Sequence, residues 1–287
     1  MQTIKHIYPV PTAISIAVMM AFLGIVFGGI LALVGILAGG VASVLGRGIT
    51  GMAITGLGLL SVVVFPVLFA IIGFVVTAIA ALLYNLFAGW FGGVMWNYKG
   101  GVLRELDIIS YAKISAAFFG IFALIEGLII GSLLSVLGIA GALVGAVAGL
   151  VLGVIIGFIL GALGAFFYNV VALRVGGYRF TFKGRGISNL DPLSYAKVLA
   201  VLSAIYGLIQ GVLSLGLSGV LASIAASNPA FGPMLASSAA GATLGILGLV
   251  FIVIANLISG FITGGMAAIF YNISANRNIG RIEIDIG

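Results

Sequence analysis

The chain has 287 residues, of which 63% are hydrophobic and 6% charged, and its mean hydropathy is +1.38. A soluble domain has about 45–50% apolar and about 25% charged residues, so a water-soluble globule is excluded and an integral membrane protein is indicated. With no cysteine and one histidine, His6, the chain has no thiolate, disulfide, cysteine-based zinc site or histidine cluster, and its formal charge of +6 reads first as a statement about topology.

Apolar runs of about 20 residues or more mark spanning helices. Six occur, at 12–37, 58–88, 110–136, 140–173, 193–217 and 240–272. The first is too long for the apolar region of a signal peptide, about 7–15 residues, so the N-terminal segment is expected to be retained. Pro9 and Pro11 suit the start of helix one, Pro66 a kink in helix two and Pro192 the start of helix five. The stretches 37–58 and 217–245, which contain Asn228-Pro-Ala-Phe-Gly-Pro233, are rich in Gly, Ala and Ser and nearly uncharged. They are expected to lie in the interface, to re-enter, or to be covered by neighbouring subunits.

Six crossings place both chain ends on one side. That side carries Lys5, Lys99, Arg104, Lys113, Arg174, Arg179, Lys183, Arg185, Lys197, Arg277 and Arg281, and the other only Arg47, a ratio of 11 to 1. The positive-inside rule then predicts a multi-pass protein of the cell membrane with N- and C-termini in the cytoplasm. The expected partners of these bases are anionic headgroups of the bilayer, at about 1 kcal/mol per residue, rather than nucleic acid, because they are spread over four short segments. Five of the six acids (Glu105, Asp107, Asp191, Glu283, Asp285) fall in the same polar segments, where they read as surface charge.

The chain repeats itself. Leu106-Asp-Ile-Ile-Ser-Tyr-Ala-Lys113 returns 84 residues later as Leu190-Asp-Pro-Leu-Ser-Tyr-Ala-Lys197, and Ile7-Tyr-Pro-Val-Pro-Thr-Ala-Ile14 has the same place before helix one. Tyr84-Asn85 with Gly92-Gly93 matches Tyr168-Asn169 with Gly176-Gly177, and Tyr271-Asn272 with Gly280 is a third copy. Three tandem helical hairpins follow, 1–98, 99–182 and 183–287, each closing on a tail of strand character: 94–98, 178–182 and 281–286. Gln2–Ile7 and Val102–Asp107 are candidate partner strands. The expected fold is an all-α integral membrane protein with short cytoplasmic β-strands, its units related by pseudo-rotation about the membrane normal.

The Tyr-Asn, spacer, Gly-Gly and terminal-strand pattern resembles a family of small uncharacterised prokaryotic membrane proteins, mostly archaeal, in which one hairpin ends this way. The likeness extends over all three units, with Ile279 in place of the first glycine of the third. The resemblance implies the hairpin and brings no catalytic residues or cofactor.

Candidate sites are few. Gly141, Gly145, Gly149, Gly153, Gly157 and Gly161 make one smooth face of helix four, repeated more briefly by Gly24/Gly28, Gly207/Gly211 and Gly260/Gly264. Small residues of this kind let helices pack closely in lipid, within or between subunits. Glu126 is the one acid inside a spanning segment, Gln210 holds the equivalent place and Asn256 a similar depth. The three could form one polar layer, either an ion or proton site or interhelix hydrogen bonding. Tyr84, Tyr168 and Tyr271, with Trp90, Trp96, Tyr111 and Tyr195, read as an aromatic belt, and Asn85, Asn169 and Asn272 as helix caps or bonds to the tail backbone. The function expected from this set is non-enzymatic, a structural or assembly component forming a homo-oligomer or joining membrane partners through glycine-rich faces. The alternative is a channel or transporter using the Glu126 layer.

Overall fold

The computed structural model describes residues 1–134, 139–227 and 245–287, and 79% of it is helical. In order it forms β1 (Gln2–Ile7), α1 (Pro9–Val44), α2 (Gly48–Phe91), β2 (Met95–Lys99), β3 (Val102–Leu106), α3 (Ile108–Leu134), α4 (Ile139–Val175), β4 (Phe180–Lys183), β5 (Gly186–Leu190), α5 (Pro192–Ser227), α6 (Gly245–Asn276) and β6 (Ile284–Ile286). Among the described residues, six helices are long and apolar enough to cross a membrane. At 1.5 Å per residue the 44 residues of α2 extend about 66 Å, roughly twice the hydrocarbon core of a bilayer.

The segment expected as a loop at 37–58 is helical except for Leu45-Gly46-Arg47, where Gly46 turns the chain at φ +78°. The reason is contact between the two helices. Gly35 lies on Gly58 and Gly39 on Gly51, while Ser43 Oγ donates to Gly39 O at 2.9 Å, so the small residues that suggested a loop allow the helices to continue to a tight turn. The corresponding segment at Asn228-Pro-Ala-Phe-Gly-Pro233 lies outside the described residues. Pro66 sits inside α2 without ending it, with its backbone against Gly24 of α1.

Helix starts are specified locally. Pro9 opens α1 and Pro192 opens α5. Asp107 Oδ1 accepts from Ser110 N at 2.7 Å, and Asp191 Oδ1 from Leu193 N at 3.1 Å, so these two acids cap α3 and α5 rather than serving only as surface charge.

Each hairpin packs along its length. On α4, methyl groups added at Gly145, Gly149, Gly153, Gly157 and Gly161 would overlap Gly127, Ala123, Phe119 and Ser115 of α3. Gly24 and Gly28 face α2, Gly207 and Gly211 face α6, and Gly260 and Gly264 face α5 in the same way. The glycine rows therefore carry the packing inside the hairpins, while Gly145 and Gly149 are only half-buried and also border an open groove. Different hairpins touch one another far less. Only 11–22% of the most apolar stretch of any spanning helix is buried.

At the other end of the hairpins the six strands close on themselves. β3, β2, β1 and β6 form one sheet and β4 and β5 another, all antiparallel. Bridges at Val102/Arg179 and Gly186/Glu283 join the two, so the strands run around a closed ring in the order β1-β2-β3-β4-β5-β6. A closed ring leaves no unpaired edge. Trp96, Leu103, Phe180, Ile187, Leu190 and Ile284 from the strands fill a single core with Tyr168, Tyr271 and Val198 from the helix ends.

Candidate functional site

The recurring Tyr-Asn pairs define the junction between helices and strands. Tyr84 Oη donates to Ile4 O at 2.7 Å and accepts from Val94 N at 3.0 Å. Tyr168 does the same with Leu103 O and Tyr178 N, and Tyr271 with Ile187 O and Ile282 N. Each phenol thus sits between the strand that opens a unit and the strand that closes it. The adjacent asparagine holds the opening strand three residues further on: Asn85 takes both Ile7 N and Ile7 O at 2.8 Å, Asn169 both groups of Leu106, and Asn272 both groups of Leu190. A hydroxyl in the first helical turn completes the set, because Ser110 accepts from Met95 N, Ser194 from Arg179 N and Thr12 from Glu283 N.

These contacts correct the reading of the motif. Tyr84, Tyr168 and Tyr271 are at most 6% exposed, so they are not belt residues, and Trp96 lies in the strand core, whereas Trp90 is 67% exposed as a belt residue would be. Asn85, Asn169 and Asn272 bond the opening strand, neither capping a helix nor holding the tail. Gly93 and Gly177 have no room for a side chain because Ile4 O and Leu103 O pass over them. Gly280 keeps the sequence spacing but not this role. The bond from the closing strand comes eleven residues after Tyr271 rather than ten, and a methyl at Gly280 would meet Ser15 and Pro11 of α1 instead.

Nine side chains from three units therefore serve one purpose, the satisfaction of strand backbone where helix meets strand. A buried peptide group without a partner costs about 1–3 kcal/mol, so the motif is selected by the backbone it serves. The amide of Asn85 is fixed by its two bonds to Ile7, which makes its remaining N–H the donor to His6 Nε2 at 3.1 Å and leaves the proton of a neutral His6 on Nδ1. His6 Nδ1, Ser15 Oγ and Trp96 Nε1 are buried without a partner among the described residues.

On the outside of the ring, Arg185 Nε lies 3.2 Å from Asp285 Oδ1, Arg185 Nη1 donates to Tyr8 Oη at 2.7 Å, and Tyr8 donates to Asp285 Oδ2 at 2.8 Å. The bond to Asp285 is the first cause that raises the Tyr8 phenol above its ordinary value. Burial raises Tyr98, whose hydroxyl donates to Phe180 O at 2.6 Å, and pushes Tyr178 up to about 12.

The intramembrane polar groups do not join. Asn256 Nδ2 donates to Ile252 O of its own helix and lies over Gly207, Gln210 is exposed on α5, and Glu126 is exposed beside an open groove of about 580 Å³ along Gly127, Gly145, Gly149 and Gly153. No hydrogen bond among the described residues links the three, so the expected layer is not formed within the chain. The cause is the packing just described: each hairpin closes on its own small residues, and these side chains are distributed over two hairpins. Among the described residues no three acidic or histidine side chains are grouped to hold a metal. Comparison with family models, with curated proteins and with solved structures finds no match to this chain.

Proposed function

We propose that the protein is a non-enzymatic, multi-pass component of the cell membrane that assembles into a homo-oligomer or a larger membrane complex. In this reading the units 1–98, 99–182 and 183–287 surround a pseudo-threefold axis along the membrane normal. The strand ring and both chain ends face the cytoplasm, in keeping with the eleven basic residues at that end and Arg47 alone in the hairpin tip.

The observation that carries the proposal is the outward position of Glu126 and Gln210 on helices whose flanks are otherwise apolar and exposed. A polar side chain facing hydrocarbon is costly, and a neighbouring helix that offers a hydrogen bond removes part of that cost. Since the glycine rows already pack the hairpins, in this reading contacts between subunits fall to these flanks, including the groove beside Glu126. Native mass spectrometry in mild detergent tests this against a subunit mass of 29.2 kDa. A discrete multiple that weakens when Glu126 and Gln210 are replaced by leucine supports assembly, and a stable monomer in the mildest detergents overturns self-assembly.

The groove beside Glu126 favours a second reading as a channel or transporter. Ion or proton flux into liposomes that is lost in Glu126→Gln would establish it, and flux unchanged by that substitution would remove Glu126 as the carrier.

A further inference from the structure

The three clefts between neighbouring hairpins are not alike. Between α1 and α6, Phe22 stacks on Phe270 with ring centroids 5.0 Å apart, and between α2 and α3, Phe87 meets Phe118 edge to face at 5.3 Å. Between α4 and α5 neither ring pair exists. Phe167 precedes Tyr168 as Phe270 precedes Tyr271, but its counterpart, fifteen residues after Leu190 as Phe22 is after Ile7, is Ile205. Phe87 and Phe118 are replaced, 84 residues on, by Val171 and Leu202.

The missing rings leave a cavity of about 580 Å³, more enclosed than the groove beside Glu126. Its walls are apolar, with Leu160, Leu163 and Phe167 on one side and Leu202, Ile205 and Ile209 on the other. Its end toward the strands is polar. Tyr168, Tyr178 and Tyr111 meet there, and the Tyr168 hydroxyl is engaged by Leu103 O and Tyr178 N. The hydroxyls of Tyr111 and Tyr178 have no hydrogen bond among the described residues. The Tyr178 ring packs 5.5 Å from Tyr168 and 4.4 Å from Tyr195, and its phenol, like any tyrosine at physiological pH, is a neutral donor. A partly enclosed apolar slot with two phenols at one end matches an amphiphile.

We propose that the α4–α5 cleft is a binding site for one lipid chain, seated between the two hairpins with an accepting oxygen of its polar end at the hydroxyls of Tyr111 and Tyr178. The inference rests on the membrane location argued above but not on assembly or transport. A phospholipid acyl chain and a free fatty acid share the required chemistry, an apolar chain ending in an ester or carboxyl oxygen.

Reconstitution of the full chain with phosphatidylcholine carrying a photoactivatable diazirine on one acyl chain, and separately with diazirine-labelled palmitate, tests the site by mapping the labelled peptides. Bulk lipid should label the outer helix flanks at all three clefts. The site predicts that residues 160–167 and 202–209 are labelled about fivefold or more above the matching stretches 76–83 with 118–125 and 263–270 with 19–26, a difference near 1 kcal/mol. Enrichment with the phospholipid identifies a membrane glycerolipid, and enrichment with palmitate alone a free fatty acid. Leu163→Trp with Ile205→Trp should abolish the enrichment by filling the cleft, and Tyr111→Phe with Tyr178→Phe should reduce it without changing the cavity walls. Equal labelling of the three clefts overturns the site while leaving the membrane reading intact, and helices that take no label in either lipid overturn both. Enrichment that persists at full strength in both double variants also overturns the site.

Discussion

The two ends of the molecule are held by opposite means. In the strand ring every junction is a set of hydrogen bonds made by tyrosine, asparagine and a small hydroxyl, and the side chains between strands are large: Trp96, Tyr98 and Phe180, with centroids 4.7–6.1 Å apart. In the hairpins the contacts are made by residues that have almost no side chain. The difference follows from the solvent. On the proposed placement of the ring in water and the hairpins in lipid, apolar area and satisfied backbone decide the packing of the first, whereas for the second the apolar driving force between helices is absent and close backbone approach supplies the contact instead.

That contrast can be broken most strongly at the glycine rows. Gly149→Leu places a side chain against Ala123 O, where the neighbour is backbone and cannot yield, so hairpin two should lose about 3 kcal/mol or more. Gly29→Leu and Gly40→Leu should change stability little, because nothing lies within 4 Å of the added atom. Thermal unfolding in one detergent, measured on all three variants, separates a packing role from a general effect of lost glycine. Comparable destabilisation by Gly29→Leu would show that the close approach is not what matters.

A more local effect is expected at the ring. Asn169→Leu leaves both Leu106 N and Leu106 O without their partner, at a cost of about 2–4 kcal/mol. Amide exchange should then accelerate at Leu106 and its neighbours in β3, while the amides of Ile7 and Leu190, held by Asn85 and Asn272, stay protected. Uniform loss of protection around the ring would mean that it opens as a single cooperative unit and not junction by junction.

The sequence discloses these two regions unequally. The spanning helices follow from apolar length, and the tails at 94–98, 178–182 and 281–286 from their alternation, and strands stand in each of these segments. The spacing that relates Tyr84-Asn85 to Tyr168-Asn169 is visible at once, yet the backbone they hold is not, because Ile4 and Ile7 lie about 80 residues away and carry no polar mark. β5 was hidden for a similar reason: Gly186-Ile-Ser-Asn-Leu190 is short and half polar, and it becomes a strand through pairing with β4 and β6. Glycine-rich stretches misled in the other direction. At 37–58 they suggested a loop, since composition alone does not say that Gly35, Gly39, Gly51 and Gly58 meet across a hairpin.

The mildest expected effect is a dependence on alkaline pH centred on the ring and its junctions with the helices. Tyr178 and Tyr98 are raised by burial and Tyr8 by its bond to Asp285, so each phenol in the folded protein keeps its proton more firmly than in an unfolded chain, where it titrates near 10. Between about pH 10 and 12 the folded state therefore binds more protons than the unfolded one, and stability falls as pH rises through that window. Below it, where every phenol is neutral in both states, these groups add no pH dependence. The glycine contacts along the hairpin midsections do not titrate. Amide exchange at the strands should accelerate across this range while the midsections of α1–α6 keep their protection, and Tyr178→Phe should make the acceleration shallower. An alkaline response that begins in the helices would place the weak point of the fold in the hairpins and reverse the contrast drawn above.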